Sequence, residues 1–271
     1  MARIESYYRR KDEHGRLKSG RGELEFQRTK GIVQQFLPDR EGLVVADVGG
    51  GTGPYAFWLA EQGHDVSLFD MMPNHIEQAL ATNSESPHPL TRIEIADARN
   101  LDLVDGGFDV VLLMGPMYHL IDPSDRLRVL RKVARWLTDD GVAFIVYISR
   151  FGSMYDGFIG GLFGDPEFLE IVRKDLETGV HEPNKDGSMY FTDAYFHHTE
   201  EIEREVESAG LQIVDHVAVE GVGWLWQNFD EIWADPQQRA ILLEMIERTD
   251  REHSLLGAGA HNIIIVKGSR G

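Results

Sequence analysis

The chain has 271 residues, 42% hydrophobic and 27% charged, with no cysteine and a formal net charge of −18. This is an ordinary globular composition, and it excludes disulfides, thiolate metal sites and cysteine nucleophiles. A strongly acidic surface repels phosphate backbones, so no nucleic acid is expected as a partner. No apolar run approaches the ~20 residues of a membrane helix, and the start, MARIESYYRRKDE, carries no apolar signal core. A cytoplasmic location with no membrane contact is expected. The one basic cluster, Arg9, Arg10, Lys11, Arg16, Lys18 and Arg21, reads as a solvated segment.

In chain order, residues 23–37 place Leu24, Phe26, Ile32, Val33, Phe36 and Leu37 at roughly helical spacing, and Pro38 ends that helix. Strands and helices then alternate. LVVAD (43–47) is a strand, PYAFWLAEQG (54–63) a helix stopped at Gly63, DVSLFD (65–70) a strand and PNHIEQALATN (73–83) a helix. TRIEIAD (91–97) and FDVVLLMG (108–115) are strands, PSDRLRVLRKVARWL (123–137) is a helix, and GVAFIVYIS (141–149) is a strand. Residues 151–198 break the pattern with glycine- and aromatic-rich stretches and read as an insertion over the strand ends. A helix opened by Thr199, a strand from Leu211, helical residues 229–249 and a strand over 261–268 complete the chain. Such alternation implies a doubly wound α/β sheet whose ligands sit at the carboxyl ends of the strands.

The first strand end reads Asp47, Val48, Gly49, Gly50, Gly51, Thr52, Gly53. The dinucleotide fingerprint G-x-G-x-x-G counted from Gly49 and Gly51 requires glycine where Pro54 stands, and counted from Gly51 and Gly53 requires it where Ala56 stands. Glycines let ligand atoms approach bare backbone. Asp47 can accept from a cationic amine but would repel a pyrophosphate, which favours an amino-acid-bearing nucleotide over a dinucleotide. Asp70 ends the second strand, placed to accept ribose hydroxyls. Met71 and Met72 follow, for an adenine face or for the core. Asp97, at the third strand end, can accept from an adenine amine.

DVGGGTGPYAFWLAEQGHDVSLFDMMPNHIEQA, IEIADARNLD, FDVVLLMGPMYHLID and RWLTDDGVAFIVYIS resemble, in order and interval, the successive motifs of class I S-adenosylmethionine (SAM)-dependent methyltransferases. MGPMYHL (114–120), FTDAYFH (191–197) and SLLGAGAH (254–261) are further similar to a bacterial and archaeal subgroup of small-molecule-type enzymes in that family. The resemblance implies a Rossmann-like, doubly wound, mostly parallel seven-stranded sheet with a helical and loop cap, and SAM as cofactor. It implies that Asp47, Gly49, Gly50, Gly51, Thr52 and Gly53 cradle the methionine part, that Asp70 with Met71 meets the adenosine, that Asp97 and Ala98 meet the adenine, and that Met114 lies beside the transferred methyl. The stretch after the fourth strand lacks the D/N-P-P-Y/F signature of base and glutamine amino-methyltransferases, which argues against such substrates; a small-molecule acceptor is expected.

Methyl transfer by in-line displacement asks the protein mainly to align the nucleophile and exclude water. His119 is the candidate base, with a loop-shaping role as its alternative, and Tyr118 orders substrate or SAM. Arg150, Tyr190, Tyr195, His198 and Trp224 are candidate substrate contacts. Adjacent residues rarely reach one ion, so His197 and His198 are not taken as a metal pair and no metal is expected. Trp224 and Trp226 share a face if that segment is extended; Tyr7 and Tyr8 form a lid or a tail; His261 is structural. The expected organisation is an N-terminal helical lid (1–40), a SAM-binding core (41–150), a cap (151–198) and a completion of the core (199–271) with a helical insertion at about 220–259. The expected partner is a small molecule, with a homodimer left open. The alternatives are an NAD(P)-dependent oxidoreductase and a non-catalytic SAM-binding regulatory protein.

Overall fold

A computed structural model describes residues 2–9, 13–183 and 190–268; Arg10 and Lys11 of the basic cluster lie outside them. The elements are α1 (Ala2–Tyr8), α2 (Glu13–Arg16), α3 (Gly20–Phe36), β1 (Val44–Val48), α4 (Pro54–Glu61), β2 (Asp65–Asp70), α5 (Pro73–Glu85), β3 (Arg92–Ile95), β4 (Phe108–Leu113), α6 (Pro116–His119), α7 (Pro123–Trp136) and β5 (Leu137–Ile148). After these come α8 (Gly152–Gly160), α9 (Pro166–Thr178), β6 (Val180–His181), β7 (Ala194–Tyr195), α10 (Thr199–Ser208), β8 (Leu211–Ala218), α11 (Phe229–Ala234), α12 (Pro236–Glu247) and β9 (His261–Gly268). No helix of the described residues is long and apolar enough to cross a membrane.

Seven strands form a sheet in the order β3-β2-β1-β4-β5-β9-β8. β1 pairs in parallel with β2 (Val45 opposite Val66) and with β4 (Val45 opposite Val110), and β4 pairs in parallel with β5. The Ser149 amide just past β5 donates to the Ala260 carbonyl just before β9 at 2.8 Å. β9 therefore enters beside the end of β5 and runs against it. The expected mostly parallel, doubly wound sheet is present.

Two compact units are formed, one from Met1–Gly31, Tyr147–Ile202 and His216–Ile263, the other from Ile32–Val146, Glu203–Asp215 and Ile264–Gly271. In the second unit every residue of β4 is buried, and α7 buries Val129, Leu130, Val133 and Trp136. Each such side chain contributes about 1.5–3 kcal/mol on leaving water. In the first unit Leu24 of α3 packs with Phe229 and Trp233 of α11 and Leu242 and Ile246 of α12.

Three local expectations need correction. β5 begins at Leu137 rather than 141, because a register shift between Phe108 and Val110 keeps Thr138–Gly141 within the strand. Residues Gly221–Leu225 form a 3₁₀ turn, not an extended segment, so the shared face of Trp224 and Trp226 does not arise. Gly221 starts that turn at φ 48. The cap of α10 is His198 rather than Thr199: its carbonyl accepts from Glu201 and Ile202, and its N–H donates to the Glu201 side chain at 2.9 Å. This is one half of a capping box, the acid three residues after the cap reaching back to the cap's N–H.

Candidate active site

The turn between β1 and α4 starts from the β1 register. Gly49 donates its N–H to the Phe69 carbonyl at 2.7 Å, which seats the turn against the end of β2. Gly49, Gly51 and Gly53 adopt left-handed backbone (φ 74, 61 and 85). A Cβ on Gly49 would lie 2.4 Å from Pro116 Cδ, and one on Gly50 would lie 2.4 Å from Asp47 Oδ2. The turn therefore rests directly on the Asp47 carboxylate, with the start of α6 packed on its other side.

This geometry gives a test. Gly63 also sits at positive φ (86) but has open space around its Cα. Gly63→Ala should cost only the left-handed backbone term, about 1–2 kcal/mol, whereas Gly49→Ala should cost several kcal/mol through the added overlap with Pro116. Urea midpoints of the two variants check this; equal losses would mean that the contact with Pro116 is not limiting.

Asp47 is fully buried, and neither of its oxygens has a hydrogen-bond partner among the described residues. Burial, then the charge of Asp70, push its pKa up to about 7, against a partial opposing effect of the Ala56 amide. Burying a carboxylate with so little hydrogen bonding is costly when it is ionised. Asp70 is buried too, and accepts from Gly51 N–H (2.9 Å), Met72 N–H (2.8 Å) and His75 Nδ1 (3.2 Å). It braces the glycine turn besides ending β2. Met71 is half-buried beside it, whereas Met72 belongs to the core.

Asp97 is held by Arg99. The guanidinium Nε donates to both carboxylate oxygens at 3.0 Å, and the Arg99 amide donates at 2.9 Å. Burial opposes ionisation here, but the Arg99 hydrogen bonds and charge outweigh it and hold the acid below its usual range. A ligand amine at Asp97 would share these oxygens with Arg99. Ala98 and Thr52 are buried, and Met114 is half-buried after β4. Tyr118 and His119 end α6 with ring centroids 4.7 Å apart, edge to face, both half-buried. Arg126 of α7 pins the chain that follows: Nη1 donates to the Leu120 and Ile121 carbonyls at 2.7 and 2.8 Å, and the rest of its fork binds Glu205 of α10.

A family model described as a methyltransferase domain matches residues 45–141. A tRNA U34 carboxymethyltransferase from Desulfotalea psychrophila is 33% identical over 112 residues, covering 41% of this chain and 33% of that protein. A ubiquinone biosynthesis O-methyltransferase from Aliivibrio fischeri is 28% identical over 144 residues, covering 53% of this chain and 57% of that protein. The matches thus span 33% and 57% of these relatives, less than two thirds of either. A solved SAM-dependent methyltransferase from Methanosarcina mazei superposes with a TM-score of 0.59 at 16% identity, covering 87% of this chain and 95% of that one, which shows a common fold. The expected Rossmann-like fold is present, and the match over residues 45–141 agrees with the expected resemblance to class I SAM-dependent methyltransferases.

The fold brings Asp47, the glycine turn, Asp70, Met71, Asp97, Ala98, Met114, Tyr118 and His119 into one compact unit. The remaining candidates belong to the other unit, where each has local partners. Arg150 is buried, donates from Nε to the Phe196 carbonyl at 2.8 Å and pairs with Glu201 at 2.9 Å. The Tyr195 hydroxyl donates to Glu201 at 3.4 Å. The His198 ring meets the edge of Phe151 at 5.7 Å. The Tyr190 hydroxyl donates to Asp165 at 2.6 Å, and this bond leads the causes that push it up to about 12. The Trp224 carbonyl accepts from Arg21 Nε at 3.1 Å. Tyr7 stacks edge-on to Tyr8 and Phe191.

Sequence reasoning missed His75, Arg99 and Arg126. His75 carried a usable signal, since it lies in the first turn of the helix that follows Asp70. It also passed over a buried ion cluster in the first unit. His261 Nδ1 lies 2.7 Å from Glu220 Oε1, and Glu25, held by Arg16, brings a carboxylate oxygen within 4.8 Å of both.

Proposed function

We propose that this protein transfers the methyl group of SAM to a small-molecule acceptor by in-line displacement. The observation that carries the reading is Asp47: a fully buried carboxylate with both oxygens unpartnered among the described residues, set under a glycine turn. That arrangement suits the α-ammonium of an amino-acid-bearing nucleotide and repels a pyrophosphate. Asp70 and Asp97 would then face the ribose and the adenine, and Met114 the methyl. SAM, when bound, supplies the activated methyl. The chain's own part is to hold the nucleoside, exclude water and present the acceptor near Tyr118 and His119, where His119 takes a proton if the nucleophile must lose one.

tRNA is the second acceptor class, favoured by the similarity to a tRNA U34 carboxymethyltransferase. The net charge of −18 weighs against it, since binding a polyanion draws on basic contacts. Thermal shifts with SAM, S-adenosylhomocysteine and NAD test the cofactor: stabilisation by the first two is expected, and stabilisation by NAD alone would overturn the reading. Incubation with methyl-labelled SAM, a metabolite extract and bulk tRNA tests the acceptor. Label is expected in the small-molecule fraction; label in tRNA alone would assign the second class.

A further inference from the structure

His75 is the third residue of α5 and is buried. Its imidazole faces Asp70, the carboxylate that the proposed function assigns to the ribose, and the present inference rests on that reading. An ionised carboxylate can only accept, so the Nδ1 that lies 3.2 Å from Asp70 Oδ1 carries the hydrogen. The other two donors to Asp70 are the backbone N–H groups of Gly51, on Oδ2, and Met72, on Oδ1. His75 is thus the side-chain donor to Asp70 among the described residues. The terminal torsion of an aspartate is broad and soft. A second donor on Oδ1, from a rigid ring fixed in a helix, restricts that rotation and leaves the remaining acceptor site, on Oδ2, in a set direction. His75 also lies 3.9 Å from where a Cβ on Gly51 would stand, so the same ring borders the glycine turn.

We infer that His75 is a positioning residue: it orients the Asp70 carboxylate so that its remaining acceptor site, on Oδ2, faces the ribose hydroxyls of the nucleoside, and so sets the preference of this site for a ribonucleoside over one lacking them. The role belongs to one ring nitrogen. Asparagine places its amide nitrogen near the position of Nδ1 and should replace it, whereas leucine keeps bulk without a donor.

Calorimetric titration of the wild type, His75→Asn and His75→Leu with S-adenosylhomocysteine, adenosine and 2′,3′-dideoxyadenosine tests this. His75→Leu should bind S-adenosylhomocysteine and adenosine about tenfold more weakly, the loss of roughly one charge-assisted hydrogen bond, with dideoxyadenosine unchanged. His75→Asn should stay within about threefold of the wild type. The adenosine-to-dideoxyadenosine ratio is taken within each variant, so a general loss of stability cancels. Unchanged S-adenosylhomocysteine affinity in His75→Leu, equal weakening of both nucleosides, or failure of asparagine to restore the ratio would each overturn the inference while leaving SAM binding standing. A wild type that binds no S-adenosylhomocysteine would overturn the proposed cofactor itself.

Discussion

Asp47→Asn is expected to raise the stability of the ligand-free protein above pH 7 and to remove SAM binding. The folded carboxyl titrates at about 7, raised from 3.8 by burial and by Asp70. Between these two values the native state holds a proton that the unfolded chain has released. Stability therefore falls as pH rises through that window, by ~1.4 kcal/mol per pH unit and about 4 kcal/mol at most. Asparagine removes the buried charge, and with neither oxygen hydrogen-bonded among the described residues it loses little in exchange. A melting temperature several degrees higher at pH 8 follows, with no gain at pH 4. A cationic ligand reverses the balance. The ionised Asp47 is the form that meets an ammonium group, so affinity for S-adenosylhomocysteine should tighten as pH rises to about 7, with proton release on binding below it. Titration in two buffers of different ionisation enthalpy measures that release. Binding by Asp47→Asn within threefold of the wild type, or pH-independent affinity between pH 5 and 8, would remove Asp47 from the site.

The same residue shows what was legible in the sequence. The placement of Asp47 and Asp70 at the ends of β1 and β2, and of Asp97 just past β3, follows from local signals: apolar runs of strand length, glycine turns, and prolines at the first helical position of α4, α5, α6 and α7. Those signals act within a few residues, so element order and strand-end chemistry could be read directly. The partners of these acids were less legible. His75 and Arg99 reach Asp70 and Asp97 from five and two residues away. Their spacing was visible, but it does not tell a brace from a solvated side chain. The ion cluster was not legible, because Glu25 lies in α3, Glu220 after β8, and His261, 41 residues beyond Glu220, at the start of β9. No periodicity links three segments that meet only through tertiary packing. The 3₁₀ turn at Gly221–Leu225 failed for a related reason. A Cβ on Gly223 would lie 2.5 Å from Ile246 Cδ1, so that turn is shaped by α12, more than ten residues downstream.

Glu220→Gln is expected to flatten the alkaline limb of the stability profile. His261 is nearly buried, and burial alone would lower its pKa, but the charge of Glu220, then that of Glu25, and the Glu220 hydrogen bond outweigh it and push it up to about 9. Glu220 Oε2 also accepts from the His261 backbone N–H at 3.0 Å, which fixes the ring over the carboxylate. Arg16, bound to Glu25, and Asp156 of α8 are the other charges that face the cluster. For a base whose folded pKa is raised above its unfolded 6.5, stabilisation is complete below 6.5 and is lost as pH rises through about 9. The shift corresponds to about 3 kcal/mol. Asp47 contributes almost no slope above about pH 8, so the two effects separate there. In urea melts at pH 7, 8, 9 and 10 the wild type should lose stability steadily. Glu220→Gln should start lower by a few kcal/mol, since His261 loses the charge that keeps it protonated. The variant should then change little, so that the gap narrows with pH. Parallel profiles for the two proteins would show that Glu220 does not hold the His261 proton, and that the cluster draws its stability from packing alone.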